Sequence, residues 1–165
     1  MRNLVVAVVF VLGLGAVLLA TQKKGKVHQH VSVSPTPAAE VCLTDYKGAQ
    51  DQVKSSNKLL LLQFTGSHWC PPCRMLKNQV LATREFVDYA SKNFVLVELD
   101  FPRAKVLAPE IAQQNQILAQ HFGIQVFPSI IILNSDGKKI GELIGYDPRG
   151  GLEGFLASLE RVRKG

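Results

Sequence analysis

A Trp-Cys-Pro-Pro-Cys-Arg motif at residues 69–74 closely follows the apolar run Leu-Leu-Leu-Leu-Gln-Phe-Thr at residues 59–65. The run has the length and the near-continuous apolar character of a strand that is covered on both faces. If Cys70 is the N-cap of a helix, Pro71 and Pro72 occupy the first two helical positions, where a missing N–H costs nothing. The motif therefore predicts a buried strand, a turn and a helix whose first turn carries both cysteines.

The spacing of the two cysteines predicts redox chemistry. Cys73 falls at the third helical position, so its backbone N–H can donate to the Cys70 sulfur, and the helix dipole stabilises a thiolate there. Two side chains three residues apart on one turn also lie within disulfide range. We expect Cys70 to be the exposed nucleophile, and Cys73, one turn further in, to attack the mixed disulfide and release the product.

Other roles for the cysteines are open at this point. A Cys-X-X-Cys pair is half of a zinc site, for which only Cys42 and His68 could supply the remaining ligands. A purely structural disulfide is a further interpretation, although so short a loop restrains little of the unfolded chain. Cys42 itself is interpreted as a small apolar residue at the start of the domain, with a reactive or intermolecular thiol as the alternative.

The N-terminal residues 1–21 predict a membrane-directed segment, because residues 4–20 carry no charged or polar side chain. As a helix this run would extend roughly 25 Å. It is slightly long for a signal peptide, and Leu18 is large for its place before a cut after Ala20, so an uncleaved anchor and a cleaved signal peptide both remain open. Three lysines follow the run and weakly favour a cytoplasmic domain, whereas the cysteine chemistry favours an extracytoplasmic one.

Residues 22–40 predict a flexible linker, because they lack a helical or strand period and contain Ser-Pro-Thr-Pro. His28 and His30 lie in this linker without the further ligands that a metal site needs. A single globular domain is then expected at residues 41–165.

The charge distribution argues against nucleic acid binding. Lys and Arg total 19 and Asp and Glu total 13, but residues 1–40 hold four of the basic residues and only one of the acidic ones. The domain is therefore only mildly cationic, and no basic stripe with interleaved aromatic residues occurs in it. Three cysteines and a single run of membrane-spanning length also exclude a disulfide-stapled or polytopic membrane fold.

The domain alternates helical and strand patterns. Asp45 can cap a first helix, Pro109 opens another that stops at Gly123, and residues 152–162 form a closing amphipathic pattern. Further strand patterns stand at residues 94–99, 129–133 and 140–144. The last two strands flank Asn-Ser-Asp-Gly at residues 134–137, which predicts a hairpin. The order predicts an α/β fold with a central mixed β-sheet flanked by helices.

These motifs together resemble the thioredoxin superfamily. The resemblance rests on the strand followed by Trp-Cys-Pro-Pro-Cys and on Phe-Gly-Ile-Gln-Val-Phe-Pro-Ser at residues 122–129. The lead-in at residues 64–70 and Asp-Phe-Pro at residues 100–102 are most similar to bacterial exported or membrane-anchored thioredoxin-like proteins. The resemblance implies a thioredoxin fold in which Pro128 is a cis-proline beside the cysteines. It also implies a substrate groove shaped by Trp69, Pro71, Pro72, Phe127 and Pro128.

The function that follows is that of a thiol–disulfide oxidoreductase. It would reduce or isomerise disulfides of extracytoplasmic proteins, as a periplasmic protein that is tethered to the inner membrane or secreted. It would need no cofactor beyond the Cys70/Cys73 dithiol and no metal, and a membrane electron-relay protein would recharge it. The alternative is a non-catalytic module that binds peptides or delivers metal while the cysteines stay idle.

One departure from the superfamily leads to a further candidate residue. Thioredoxins carry a buried Asp on the first strand beneath the resolving cysteine, where this chain has Gln63. Glu98 is the one charged residue in the apolar pattern at residues 94–99, a costly place for a carboxylate without a partner or a task. We expect Gln63 and Glu98 to form a hydrogen-bonded pair in which Glu98 takes the Cys73 proton. The alternative is that Glu98 faces a solvated sheet edge or pairs with a basic residue.

Overall fold

A five-stranded mixed sheet separates two layers of helices in a computed structural model of the chain, which describes residues 42–165. The strands are β1 (Cys42–Leu43), β2 (Leu59–Thr65), β3 (Phe94–Asp100), β4 (Ser129–Leu133) and β5 (Lys139–Ile144). They lie in the order β1-β3-β2-β4-β5, with β3 parallel to both β1 and β2, and with β4 antiparallel to β2 and β5. The expected mixed sheet is confirmed, whereas the short β1 was not predicted. The predictions for residues 1–21 and 22–40 lie outside the described residues.

The helices begin where local capping signals place them. They are α1 (Tyr46–Ser55), α2 (Pro71–Leu76), α3 (Arg84–Asn93), α4 (Pro109–His121) and α5 (Gly151–Lys164). The Asp45 carboxylate accepts the first free N–H groups of α1, and the Thr83 hydroxyl oxygen accepts that of Phe86 in α3. The helical stretch predicted from residue 71 is interrupted. A π-helical turn, Lys77–Leu81, extends α2, and Thr83 then caps a separate helix.

The apolar runs are continuous because both faces of the sheet are covered. On β2, Leu60, Leu62 and Phe64 face α1 and α4, whereas Leu61 faces the opposite layer. That opposite layer holds Leu76 of α2 together with apolar residues of α3 and α5. Each such buried side chain contributes about 1.5–3 kcal/mol through removal of apolar surface from water. Helices therefore pack on both sides of the sheet, as the pattern of elements predicts.

The two central parallel strands end at the same edge of the sheet. The register places Thr65, the last residue of β2, beside Asp100, the last residue of β3. The Phe101 N–H donates to the Thr65 carbonyl at 2.8 Å and continues this pairing past the strand ends. The cysteine motif follows β2, so this edge carries the site. Within residues 42–165, no helix is both long and apolar enough to cross a bilayer.

Candidate active site

The two cysteines of the motif form a disulfide at the start of α2. Their Cα atoms lie 5.3 Å apart. Cys70 is the N-cap of the helix, and its sulfur accepts a hydrogen bond from the Cys73 N–H at 3.2 Å. Pro71 and Pro72 are the first two helical residues, where their missing N–H groups leave no bond unmade. This is the local geometry that the spacing predicts.

The expectation that Cys70 is exposed is wrong for the disulfide form. Only 3% of Cys70 and 1% of Cys73 is accessible to solvent. The disulfide is one reason, because each bonded sulfur removes accessible surface from the other. Pro71 is exposed and Pro72 half-buried, so the outer surface of the motif is made by the prolines.

Pro128 lies against the end of β2 where the motif begins. The antiparallel register pairs Phe64 with Ser129, which places Pro128 next to Thr65. The Phe127–Pro128 peptide bond is cis, as the resemblance implies, and Pro128 is buried. Its carbonyl accepts the Gly145 N–H at 2.8 Å, so the segment after β5 helps to hold it.

Aromatic rings join Trp69 to the loop that follows β3. The Trp69 indole Nε1–H donates to the Phe101 carbonyl at 2.6 Å. The ring of Phe127 lies edge-on to Trp69 at 5.7 Å and packs on Phe101 at 5.2 Å between centroids. The Arg103 guanidinium carbon lies 4.1 Å from the centroid of the Trp69 ring, a cation–π contact worth about 0.5–1 kcal/mol at an exposed site. Sequence reasoning missed Phe101 and Arg103, although Asp-Phe-Pro at residues 100–102 was a signal for this loop.

Asp100 holds the turn that precedes the motif. Its carboxylate accepts the Ser67 N–H at 2.9 Å and the Ser67 hydroxyl at 2.7 Å. Ser67 Oγ also lies 2.9 Å from His68 Nδ1. Because Ser67 has one hydroxyl proton and the Asp100 carboxylate only accepts, His68 Nδ1 is the donor in this contact. Sequence analysis gave Asp100 no role, and only its place at the end of an apolar strand could have suggested one.

Gly66 is required within this turn. Its carbonyl accepts the N–H groups of Trp69 at 3.1 Å and Cys70 at 2.9 Å. A Cβ at position 66 would lie 2.5 Å from the Trp69 ring, well inside van der Waals contact. The Trp69 indole therefore packs directly on the backbone of Gly66, next to Cys70.

The expected hydrogen bond between Gln63 and Glu98 is absent from the described part of the chain. The register does make them direct neighbours on β2 and β3, on the face that α2 covers. Gln63 is 5% exposed, whereas Glu98 is half-buried. β1 pairs with β3 only as far as Val97, so Glu98 has no neighbouring strand on that side of β3. Among residues 42–165 Glu98 also forms no ion pair with a basic residue.

Cys42 is a half-buried thiol on the edge strand. Burial and, to a smaller extent, the negative charge of Glu98 raise the pKa of Cys42 to about 11 against the opposing charge of Lys77. At neutral pH this thiol is protonated and a poor nucleophile. Its environment agrees with the interpretation of Cys42 as a small apolar residue at the start of the domain.

Comparisons with known proteins agree with this geometry. A family model of the thioredoxin-like domain matches residues 46–160. The chain is 32% identical over 117 residues to the disulfide bond reductase DsbH of Chlamydia pneumoniae, across 71% of this chain and 70% of that protein. It is also 32% identical over 96 residues to the thioredoxin-related protein DsbJ of the same organism, across 58% of this chain and 28% of DsbJ.

The fold comparison gives the same result. A solved structure of the DsbH oxidoreductase aligns with a TM-score of 0.68 at 30% identity, and the alignment covers 73% of this chain and 82% of that one. The matched residues include the cysteine motif, the cis-proline and the whole sheet except β1. The chain therefore belongs to the thioredoxin superfamily and is a thiol–disulfide oxidoreductase.

Proposed function

We propose that the protein is a reductase of extracytoplasmic protein disulfides, with Cys70 as the nucleophile and Cys73 as the resolving cysteine. The observation that carries this proposal is the position of the Cys70 sulfur at the start of α2, where it accepts the Cys73 N–H at 3.2 Å. A thiolate formed by reduction at this position gains the same hydrogen bond and the favourable end of the helix dipole. Within residues 42–165 no hydrogen bond reaches the Cys73 sulfur, which lies inside the first turn.

The reaction begins from the dithiol. The Cys70 thiolate attacks one sulfur of the substrate disulfide, so that a Cys70–substrate disulfide forms, the substrate S–S bond breaks and one substrate thiolate leaves. Cys73 then loses its proton and attacks Cys70, which forms the Cys70–Cys73 disulfide and releases the second substrate thiol. Two electrons pass from the protein to the substrate, and the disulfide seen here is the product state of the protein.

Substrate peptides would bind along Phe127 and Pro128. The carbonyls of Val126 and Pro128 already accept hydrogen bonds, from Ser129 and Gly145. By contrast, the N–H and carbonyl of Phe127 have no partner within residues 42–165. An extended peptide could pair with these groups while its disulfide meets the cysteines, between Trp69 on one side and the prolines of the motif on the other.

Three further observations support the direction of the reaction and the location of the protein. Pro71 and Pro72 place no cation between the cysteines, so the disulfide lacks the feature that would make it strongly oxidising. The related DsbH is named a disulfide bond reductase. The apolar run at residues 4–20 would carry the domain to or across a membrane, where a membrane electron-relay protein would return the protein to its dithiol form. The reaction requires no cofactor or metal.

Insulin reduction tests the proposal. With dithiothreitol as the electron source, we expect the wild-type protein to accelerate precipitation of the reduced insulin chains, and Cys70→Ser to lose this acceleration. Cys42→Ser is the matched control, because it removes a thiol outside the proposed site and should keep the wild-type rate. Full activity in Cys70→Ser would overturn the role given to Cys70. Failure of the wild-type protein to accelerate precipitation would favour the non-catalytic alternative.

A further inference from the structure

We propose that exposed cations beside the dithiol, with Arg103 as the main contact, select protein substrates whose disulfides are flanked by acidic residues. This inference rests on the proposed function and names the substrate class of the same site. It starts from the position of Arg103 in the loop after β3, where its guanidinium carbon lies 4.1 Å from the centroid of the Trp69 ring. Trp69 immediately precedes Cys70, so this contact fixes a permanent positive charge at the edge of the proposed groove.

The Arg103 side chain donates no hydrogen bond to any of the residues that the structure describes. The arginine side chains that donate hydrogen bonds within residues 42–165 are Arg149, Arg161 and Arg163. A cation–π contact engages the charge of a guanidinium and leaves its N–H groups able to bind an acceptor. Arg103 is itself exposed, so those donors can reach a carboxylate of a bound protein.

Neighbouring cations add to this charge. Arg74 follows Cys73 directly and Lys105 lies in the Arg103 loop, and both are exposed. The seven ion pairs of the described residues use other basic side chains, so Arg74, Arg103 and Lys105 have no carboxylate partner there. Asp100, the acidic residue of the same segment, has both oxygens engaged by Ser67. With these three cations against the single charge of Asp100, the rim formed by Arg74 and residues 100–105 is net positive.

A carboxylate is the group that fits this rim. The guanidinium fork binds carboxylates through paired hydrogen bonds, and opposite charges also speed the encounter at low salt. A peptide held on the backbone of Phe127 would pass the Trp69 ring, because the two rings are in edge-to-face contact. Acidic residues next to the substrate cysteines would then meet Arg103. Basic residues at those positions would meet like charge and be disfavoured.

The test uses two model peptides with one internal disulfide, identical except that the residues flanking the cysteines are Asp and Glu in one and Asn and Gln in the other. The fully reduced protein is mixed with each peptide, and the peptide thiols are separated and quantified over time. We expect the acidic peptide to be reduced about three- to fivefold faster at low salt, which is the effect on the rate expected of one solvent-exposed charge pair. The difference in rate should shrink at high salt, because salt screens the charges.

Three variants identify the source of this preference. Arg103→Gln should bring the ratio of the two rates close to one, and Arg103→Lys, which keeps the charge, should retain most of it. Lys92→Gln is the control with the same charge change, because Lys92 is exposed and precedes the opposite end of β3. We expect it to leave the ratio unchanged.

Other results would overturn the inference in distinguishable ways. Equal rates for the two peptides with the wild-type protein would reject the acidic preference and leave the reductase function standing. An equal slowing of both peptides in Arg103→Gln would show that Arg103 only supports the Trp69 ring. Failure of the wild-type protein to reduce either peptide would reject the proposed function, and the inference with it.

Discussion

Cys70 and Cys42 differ in reactivity because their sulfur atoms lie in different surroundings. Cys70 accepts a backbone N–H at a helix start, which stabilises negative charge. Cys42 lies half-buried beside the Glu98 carboxylate, and both features raise its pKa. The chemical identity of the side chain is the same, so the difference in reactivity comes from the surroundings.

Alkylation of the reduced protein at pH 7 should therefore label Cys70 well before Cys73 or Cys42. With a pKa of about 11, on the order of one Cys42 side chain in ten thousand is a thiolate at that pH. Its labelling should rise about tenfold for each pH unit and level off only near pH 11. Mass spectrometry of peptides from samples quenched at successive times measures the three rates. Faster labelling of Cys73 than of Cys70 would contradict the assigned roles.

Glu98 is expected to accept the Cys73 proton when the mixed disulfide resolves. The structure places it on the α2 side of β3, half-buried and without a hydrogen bond to Gln63. Glu98→Gln should then slow the resolving step between pH 6 and 8, and Gln63→Asp, which restores a carboxylate on the neighbouring strand, should recover the rate. Stopped-flow measurement of the release of a thiol from a preformed mixed disulfide follows this step.

The same variant has an internal control. Glu98→Gln removes a negative charge beside Cys42, so the pKa of Cys42 should fall below about 11 while burial keeps it above the ordinary value. A lowered Cys42 pKa shows that the substitution acts at its intended place. If Cys42 responds and the resolving step keeps its wild-type rate, Glu98 has no part in proton transfer.

Among the elements, β5 packs on α5, and the segment that follows β5 holds the cis-proline. Gly141 of β5 faces Val162 of α5, and the segment after β5 supplies the Gly145 N–H that holds the Pro128 carbonyl. A Cβ at position 141 would overlap the Val162 side chain. The close approach of this strand and this helix therefore depends on the absence of a side chain.

Gly141→Ala should destabilise the protein by about 1–3 kcal/mol, the usual cost of forcing an added methyl group into a packed contact. Gly154→Ala is the matched control, because position 154 lies within α5 and an added Cβ meets no other atom there. That substitution should stabilise the protein by roughly 0.5–1 kcal/mol through helix propensity. Urea unfolding monitored by circular dichroism measures both. Equal stabilities for the two variants would mean that β5 and α5 do not pack as described.

The whole molecule sets the reduction potential through the balance between its dithiol and disulfide forms. Cys70 and Cys73 flank two uncharged prolines, so no cation between them stabilises the reduced thiolate beyond the helix start itself. A glutathione equilibrium titration should give a potential clearly more negative than about −120 mV, the value of a strong oxidant. A value as oxidising as that would assign the protein to disulfide formation.

Introducing a cation tests the same balance. Pro72→His should make the potential more positive, with about 30 mV for each tenfold change in the equilibrium constant, because an imidazolium stabilises the thiolate. Pro72→Ala is the control for the loss of the proline ring. A potential that moves equally in both variants would attribute the effect to the ring and not to charge.

Apart from β1 and the division between α2 and α3, the amino-acid sequence determined the order of the elements, and it also determined the start of α2 and the placement of the two cysteines on it. These features depend on residues a few positions apart: an N-cap, two prolines, and apolar runs whose length and continuity identify buried strands. The superfamily followed from motifs of the same kind. The sequence also indicated that Gln63 and Glu98 are neighbours, once the resemblance supplied the alignment of their strands.

Only the tertiary structure decided which distant side chains meet. Ser67 reaches Asp100 across 33 positions, Trp69 bonds Phe101 across 32, and Arg103 reaches the Trp69 ring, all because β2 and β3 end in register. If an apolar strand is shifted by two residues along its neighbour, the same side chains remain on each face of the sheet. The apolar pattern of β2 and β3 therefore does not specify their register. The tertiary structure also revealed β1, because no periodic pattern marks a strand of two residues, and it showed that Glu98 lies just past the end of the β1–β3 pairing.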